Sequence, residues 1–367
     1  MSATSPTDAI GIIMNIVYLG FFVVYYFFST KIRTIQTTYT LSKSLKKLKT
    51  MRDKTKNEII SAIPTDKSNK ESINTRINNL MEYFIIKPSS MDPAGVTKRY
   101  EHLLDNVDER VKAEMKSIAP QANEQQIQNL QNLVEAAQAL NKMYRIVRNY
   151  YIIGKKQGSQ YSMMEIEMRL PSMMEEAEAY VAFTDAFREG KPIGDGIGPL
   201  AASKLMVEHE KFEVAQDVVA AKMAIDNRHV IVTKAKGPGG PVGKIGDAVQ
   251  RLIEANSGKI SLIIMVDAAL KLEGEDSGNI AEGIGAAIGG AGIEQYKIEE
   301  VAAKYKVPVY AIVVKESIKE VLAPMVPAIA KEADNVVDVF RRVIQERTKE
   351  NETVLIVGVG NTMGIGQ

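Results

Sequence analysis

Cysteine is absent from this chain of 367 residues. That removes disulfide frameworks, zinc fingers, iron–sulfur clusters and cysteine nucleophiles, and leaves the redox compartment open. Histidine is scarce, with only His102, His209 and His229. A bias of charge is missing too. The 46 Lys+Arg and 45 Asp+Glu leave a formal net charge of +1, whereas a dedicated nucleic-acid binder carries a basic domain, so the composition argues against a nucleic-acid partner. What is present is ordinary globular composition, 45% hydrophobic and 25% charged. It excludes collagen-like and wholly disordered chains. At roughly 100–200 residues per domain, the length suggests two domains plus accessories.

The even charge hides a local asymmetry. Residues 9–28 read AIGIIMNIVYLGFFVVYYFF, with no charge and with Asn15 as the one strongly polar member. As a helix the run is about 30 Å long, enough to cross a hydrocarbon core. Its length sets aside a buried helix of a soluble domain. The preceding MSATSPTD has no Lys or Arg and no small-residue cleavage site follows, which sets aside a cleavable signal peptide. Tyr18, Tyr25 and Tyr26 suit the headgroup level. Lys31, Arg33, Lys43, Lys46, Lys47, Lys49, Arg52, Lys54 and Lys56 then face one acid, Asp53. By the positive-inside rule this predicts a single pass through the cell membrane, with everything after residue 30 cytoplasmic. Those cations suit anionic lipid headgroups or RNA, although a topology signal on a solvated helix explains them as well. Leu41, Leu45, Leu48 and Ile59 near helical spacing predict that this stalk packs or pairs.

Four segments follow from these patterns: a tail and transmembrane helix (1–30), a basic helical stalk (31–65), a helical domain (66–189) and a Gly-rich α/β domain (190–367). In the third, apolar stripes run through Ile73, Ile77, Leu80, Met81 and Phe84, through Tyr100, Leu103, Val107, Val111 and Met115, and through Ile127, Leu130, Leu133, Ala137, Leu140, Tyr144 and Val147. Pro88, Pro93, Pro120 and Pro171 punctuate them, and Asp92 before Pro93 reads as a helix start. Met163, Met164, Met168, Met173 and Met174 predict either core or an adaptable binding surface. In the fourth segment, β-branched runs at 230–232, 262–266, 309–314 and 354–357 alternate with helical stretches at 200–213, 242–255, 298–304, 317–331 and 336–348. This alternation predicts a doubly wound, mostly parallel sheet, whose ligands collect at the carboxyl ends of the strands.

Four loops there are candidates for chemistry. Asp195, in Gly194-Asp195-Gly196-Ile197-Gly198-Pro199, opens a helix, where a carboxylate is either a cap or a site residue. Asp267 ends the hydrophobic run Leu262–Val266 and is placed to enter the crevice, with burial raising its pKa. Glu273, Glu275 and Asp276 follow among glycines, a grouping that suits a divalent cation or a solvated loop. Gly239, Gly240, Gly243 and Lys244 open a helix and suit a phosphate or carboxylate. They fail the Walker pattern, because Pro238 stands where the first Gly belongs and Ile245 where Ser or Thr belongs. Last, Gly358, Gly360 and Asn361 form a glycine turn after a strand, with no helix after it to complete a dinucleotide-binding unit.

Together, Gly358-Val359-Gly360-Asn361, Asp195-Gly196-Ile197-Gly198-Pro199, Asp267-Ala268 and the strand Val307–Val314 resemble the fold of hydrogenase-maturation endopeptidases and spore germination proteases. The order differs: the Gly-x-Gly-Asn strand, first in that fold, is last here, as a circular permutation would produce. The resemblance implies that Gly360 and Asp195 meet at one crevice. It also implies that Asp195 and Asp267 match the two acids of the germination branch. The hydrogenase branch uses a Glu, an Asp and a His, and no His follows Asp267 here. Overall, the chain also resembles an archaeal family of membrane-anchored proteins without assigned activity. Three functional readings follow. One is a ligand-binding sensor or adaptor using Gly239, Gly240, Gly243 and Lys244, and another a carboxylate-dependent, peptidase-like hydrolase using Asp195 and Asp267, with Gly358, Gly360 and Asn361 offering amides to an oxyanion. The third is a scaffold that joins a protein partner or a second copy.

Overall fold

A computed structural model describes residues 6–63, 70–88, 93–157 and 160–366; Asp92 and the 65/66 boundary lie outside them. The chain divides into two compact units, Met1–Arg52 with Asn141–Met174, and Asp53–Leu140 with Glu175–Gln367.

In the first unit the apolar run and the stalk are one helix, α1 (Pro6–Ala62). Nothing between residues 9 and 56 breaks it, since the segment has no proline and only Gly11 and Gly20 as glycines. The stretch from Ile13 is long and apolar enough to cross a membrane, by length and composition, and none of its most apolar window is buried by protein. Further on, Leu41 and Leu48 are fully buried, in the unit to which α4 (Glu124–Gln157) contributes its last part and α5 (Gln160–Glu189) its first. Pro171 does not break α5 as its residue type predicts, and the helix runs straight through it. The methionines divide in burial: Met163 is in the core, whereas Met164 and Met168 are exposed.

In the second unit α2 (Lys70–Met81), α3 (Pro93–Ile118) and the remaining parts of α1, α4 and α5 enclose Ile59, Ile77, Met115, Val134, Ala137 and Phe187. Phe84 falls past the end of α2 and is exposed, not part of its stripe. Ile193 and Met363, which flank the loops discussed below, belong to this same core.

The α/β part is a seven-stranded sheet, β1 (Lys211–Ala215), β2 (Val218–Ile225), β3 (Arg228–Ala235), β4 (Ile260–Leu270), β5 (Ile280–Ile284), β6 (Val309–Glu316) and β7 (Thr353–Gly358), in the order β1-β2-β3-β7-β4-β6-β5. It is mixed rather than mostly parallel. Pairs β3–β7, β7–β4 and β4–β6 are parallel, whereas β1–β2, β2–β3 and β5–β6 are antiparallel. The four parallel strands are the four apolar runs of the sequence, since burial on both faces demands continuous Val/Ile. The antiparallel ones carry polar residues and turn chemistry instead. Asp226 and Asn227 take positive φ and close the β2–β3 hairpin. The predicted helix 200–213 is therefore only α6 (Ile197–Met206), followed by β1.

Helices α6 and α10 (Pro327–Arg347) cover one face, packing Ile197, Met206, Phe340 and Val343 onto Val232, Ile264 and Ile356. Helices α7 (Ile245–Ala255) and α8 (Ile293–Tyr305) cover the other, packing Val249, Leu252, Ile298 and Val301 onto Ile231, Met265 and Leu355. The short α9 (Ile318–Leu322) is fixed by a capping box between Ser317 and Glu320.

Candidate functional site

A gap opens where β7 leaves the sheet. Strand β7 pairs with β4 only as far as Gly358 opposite Val266. Strands β4 and β6 continue together to Leu270 and Glu316. Asp267 is thus the first β4 residue without β7 beside it, and the chain beyond β7 turns across the opening as Gly360-Asn361. This is the crevice expected of doubly wound sheets.

Asp195 reaches the crevice from the other side. The turn that carries it is tied to the segment after α9: Gly194 N donates to Ala323 O (3.3 Å) and Met325 N to Pro192 O (2.7 Å). Backbone then packs on backbone. A Cβ on Gly198 would lie 2.2 Å from Val359 O and 2.5 Å from Val266 O. At Gly360 it would lie 1.9 Å from Asp195 O, with φ at +131°. Only glycine satisfies both demands. The close approach lets Asn361 N donate to Asp195 Oδ2 at 2.7 Å. Residues at opposite ends of the α/β segment therefore meet, as the permuted resemblance implies.

Asp267 is 7% exposed. Ala268 N donates to its Oδ1 (2.8 Å) and Gly289 N to its Oδ2 (3.2 Å). Burial, followed by the charge of Asp195, nevertheless pushes its carboxyl up to about 8. A third acid, not singled out by the sequence, joins them. Glu316, at the end of β6, is fully buried and neither carboxylate oxygen has a hydrogen-bond partner. Burial, then Asp195 and Glu320, push it up to about 8 as well. It sits against the Asp195 turn, since a Cβ on Gly194 would lie 2.0 Å from Glu316 Oε2. Asp195 is itself raised by burial, against the opposing bond from Asn361. The carboxyls repel one another as they charge, so the three titrate as a coupled group, and the bond from Asn361 N favours the charged form of Asp195. Sequence offered one faint signal for Glu316: a carboxylate that closes a strand just past the apolar run at 309–314.

The glycine loop before α7 is a joint rather than an open anion cradle. Lys244 donates to Asp105 of α3 and lies 3.9 Å from Glu101. The N-terminus of α7 is taken by Glu294, whose Oε2 accepts from Gly246 N at 2.6 Å. Gly239 and Gly240 pack against Gln128 and Asn132 of α4, and Gly243 against Asp217 O. Asn361 Nδ2 donates to Gly240 O (2.9 Å), while Thr362 Oγ1 donates to Pro241 O (2.9 Å). The protein's own carboxylates thus fill the place predicted for an anionic ligand. The Asn361 amide, predicted for an oxyanion, is likewise spent on Asp195.

The acidic loop forms no chelate either. Glu275 pairs with Lys315 and accepts from Leu272 N, whereas Glu273 and Asp276 point into solvent. Among the described residues, no group of three or more His, Asp or Glu is placed to hold a metal ion. The geometry therefore supports no step through a metal at these positions. His209 and His229 are exposed, in a turn and at the start of β3.

Two family models match the chain, and their boundary falls between α5 and the turn that carries Asp195. Residues 13–190 match a family model described as "Protein of unknown function (DUF1512) N-terminal domain". Residues 193–366 match one described as "Domain of unknown function (DUF1512) C-terminal". No curated protein matches the chain. The two matched domains run end to end through nearly the whole sequence, so the chain belongs to the DUF1512 family.

Proposed function

We propose that this protein is a membrane-tethered hydrolase that cleaves an amide bond by carboxylate acid–base chemistry, with Asp195 as base and Asp267 as acid. The observation that carries the reading is the gathering of half-buried Asp195 with buried Asp267 and Glu316, none with an ion-pair partner among the described residues, where β7 leaves the sheet. Buried carboxylates held apart in pKa by their surroundings supply the two roles that such chemistry needs. The ionised Asp195 takes a proton from a water as its oxygen attacks the carbonyl carbon. Asp267 gives its proton to the nitrogen that leaves when the C–N bond breaks. Each then returns to its starting state by proton exchange. The resemblance to the germination-protease fold supports the same pair. Helix α1 supplies the tether, and the cations after residue 30 favour a cytosolic site.

The test is cleavage of a quenched-fluorescent peptide library by the full chain in lipid nanodiscs. Turnover that falls about 10³-fold in both Asp195→Asn and Asp267→Asn, with circular dichroism unchanged, is the expected result. No turnover by the wild-type chain, or turnover untouched by either substitution, overturns the reading.

A further inference from the structure

Within the first unit α1 meets both α4 and α5. The Arg52 guanidinium lies 4.4 Å from the centre of the Tyr144 ring of α4, and Thr37 Oγ1 donates to Glu167 Oε2 of α5 at 3.1 Å. Helix α4 therefore descends along α1 from the level of Arg52, and α5 returns past Thr37, parallel to α1. The start of α5, seven residues before Glu167, therefore lies about 10 Å further down, level with residue 30 of α1. That is where the uncharged run ends and the cations begin. Helix α4 returns tightly against α5 at this end, since a Cβ on Gly154 would lie 2.5 Å from Met163 Cε.

The tip so placed is dressed for an interface. Lys155 and Lys156 are exposed and form no ion pair among the described residues. Tyr161 is 82% exposed. On α1 at the same level, Lys31 and Arg33 are exposed, as are Ile32 (48%) and Ile35 (68%). The acids of α5 nearby are engaged: Glu165 lies 3.6 Å from Arg169, and Glu167 accepts from Thr37. Lysines whose stems lie along apolar surface, with an amphipathic aromatic beside them, are the side chains that partition to the headgroup layer.

We propose that the α4–α5 hairpin tip is a second membrane contact, seated in the anionic headgroup layer of the bilayer that α1 crosses, with Lys155 and Lys156 on lipid phosphates and Tyr161 at the interface. The inference rests on α1 spanning a bilayer. Such a contact would fix the angle of the long stalk, which a single helix leaves free to tilt. Two lysines near an anionic surface correspond to roughly a 30-fold preference for the docked tip.

The absence of cysteine makes the test direct, because one introduced thiol carries the only label. Tyr161→Cys, Tyr18→Cys and Asn351→Cys, each in the full chain in vesicles of phosphatidylcholine and phosphatidylglycerol (3:1), are spin-labelled. Their accessibility to oxygen and to a water-soluble nickel chelate is then compared. The expected result is a headgroup depth at 161, hydrocarbon depth at 18 and full aqueous exposure at 351. The label at 161 should move into water when Lys155→Glu and Lys156→Glu are added, or when phosphatidylglycerol is omitted. An aqueous label at 161 with 18 still in hydrocarbon overturns the docked tip and spares the anchor. An aqueous label at 18 overturns both.

Discussion

Two glycine-rich loops lie at the same end of the sheet, and they differ in whether their charges are answered. In the loop before α7, Lys244 meets Asp105 and the helix N-terminus meets Glu294. In the crevice beside β7, Asp267 and Glu316 are buried and form no ion pair among the described residues, and neither carboxylate oxygen of Glu316 has a hydrogen-bond partner there. Burying a carboxyl without a partner costs free energy, and evolved folds generally avoid it. The first loop is therefore explained by folding alone, and the second is not. A site that lowers stability in order to hold acids in place is the usual mark of chemistry.

The largest effect expected from breaking this contrast is on turnover, where Asp267→Asn should be nearly inactive and Lys244→Ala should retain wild-type rates. Equal losses in the two variants would erase the distinction between the loops. Next comes Gly360→Ala, which forces a Cβ onto Asp195 O at a positive φ. It should lower stability by roughly 2–4 kcal/mol in denaturant titrations, and an unchanged midpoint would mean that the two segments do not meet there.

The pH dependence of stability sharpens the comparison further. Asp267 and Glu316 hold protons in the folded state up to about pH 8, while the unfolded chain releases them near pH 4. Between those values the folded state binds more protons, so stability from these groups is complete at acid pH and is lost as pH rises toward 8. Asp267→Asn or Glu316→Gln should raise the unfolding free energy at pH 8 by on the order of a few kcal/mol, and the melting temperature with it. The gain should vanish near pH 4. A variant that melts below wild type at pH 8 would show that the carboxyl is answered by a partner after all. The smallest effect belongs to Lys244→Ala on stability, about 1 kcal/mol or less, because its pair with Asp105 is partly solvated. A larger loss would make that loop more than a joint.

Legibility from sequence followed the same division. Strands β3, β4, β6 and β7 stand out as Val/Ile runs because both of their faces are buried. The edge strands β1 and β5 and the hairpin strand β2 do not, because their exposed positions carry polar or small residues that a local pattern cannot distinguish from loop or helix. Asp195 and Asp267 are readable from their positions before a helix and after a buried strand. Glu316 is not, because nothing local distinguishes it from a solvated glutamate closing an edge. The anion cradle misled for the opposite reason: glycines and Lys244 at a helix start look the same whether a ligand or Glu294 occupies the amides.

By itself the sequence determined what depends on neighbours in the chain. It set the uncharged run and its cations, the helical stripes, the central strands and the turns that need glycine, since length, periodicity and backbone freedom are local properties. Only the tertiary structure decided which charges meet. Closing the sheet on β7 brings Asn361 to Asp195 across 166 residues and sets Glu316 against the same turn. Packing α3 against α8 gives Lys244, at the start of α7, its acid. The electrostatic state of a side chain depends on what surrounds it in space, and that is fixed only when distant segments are packed together.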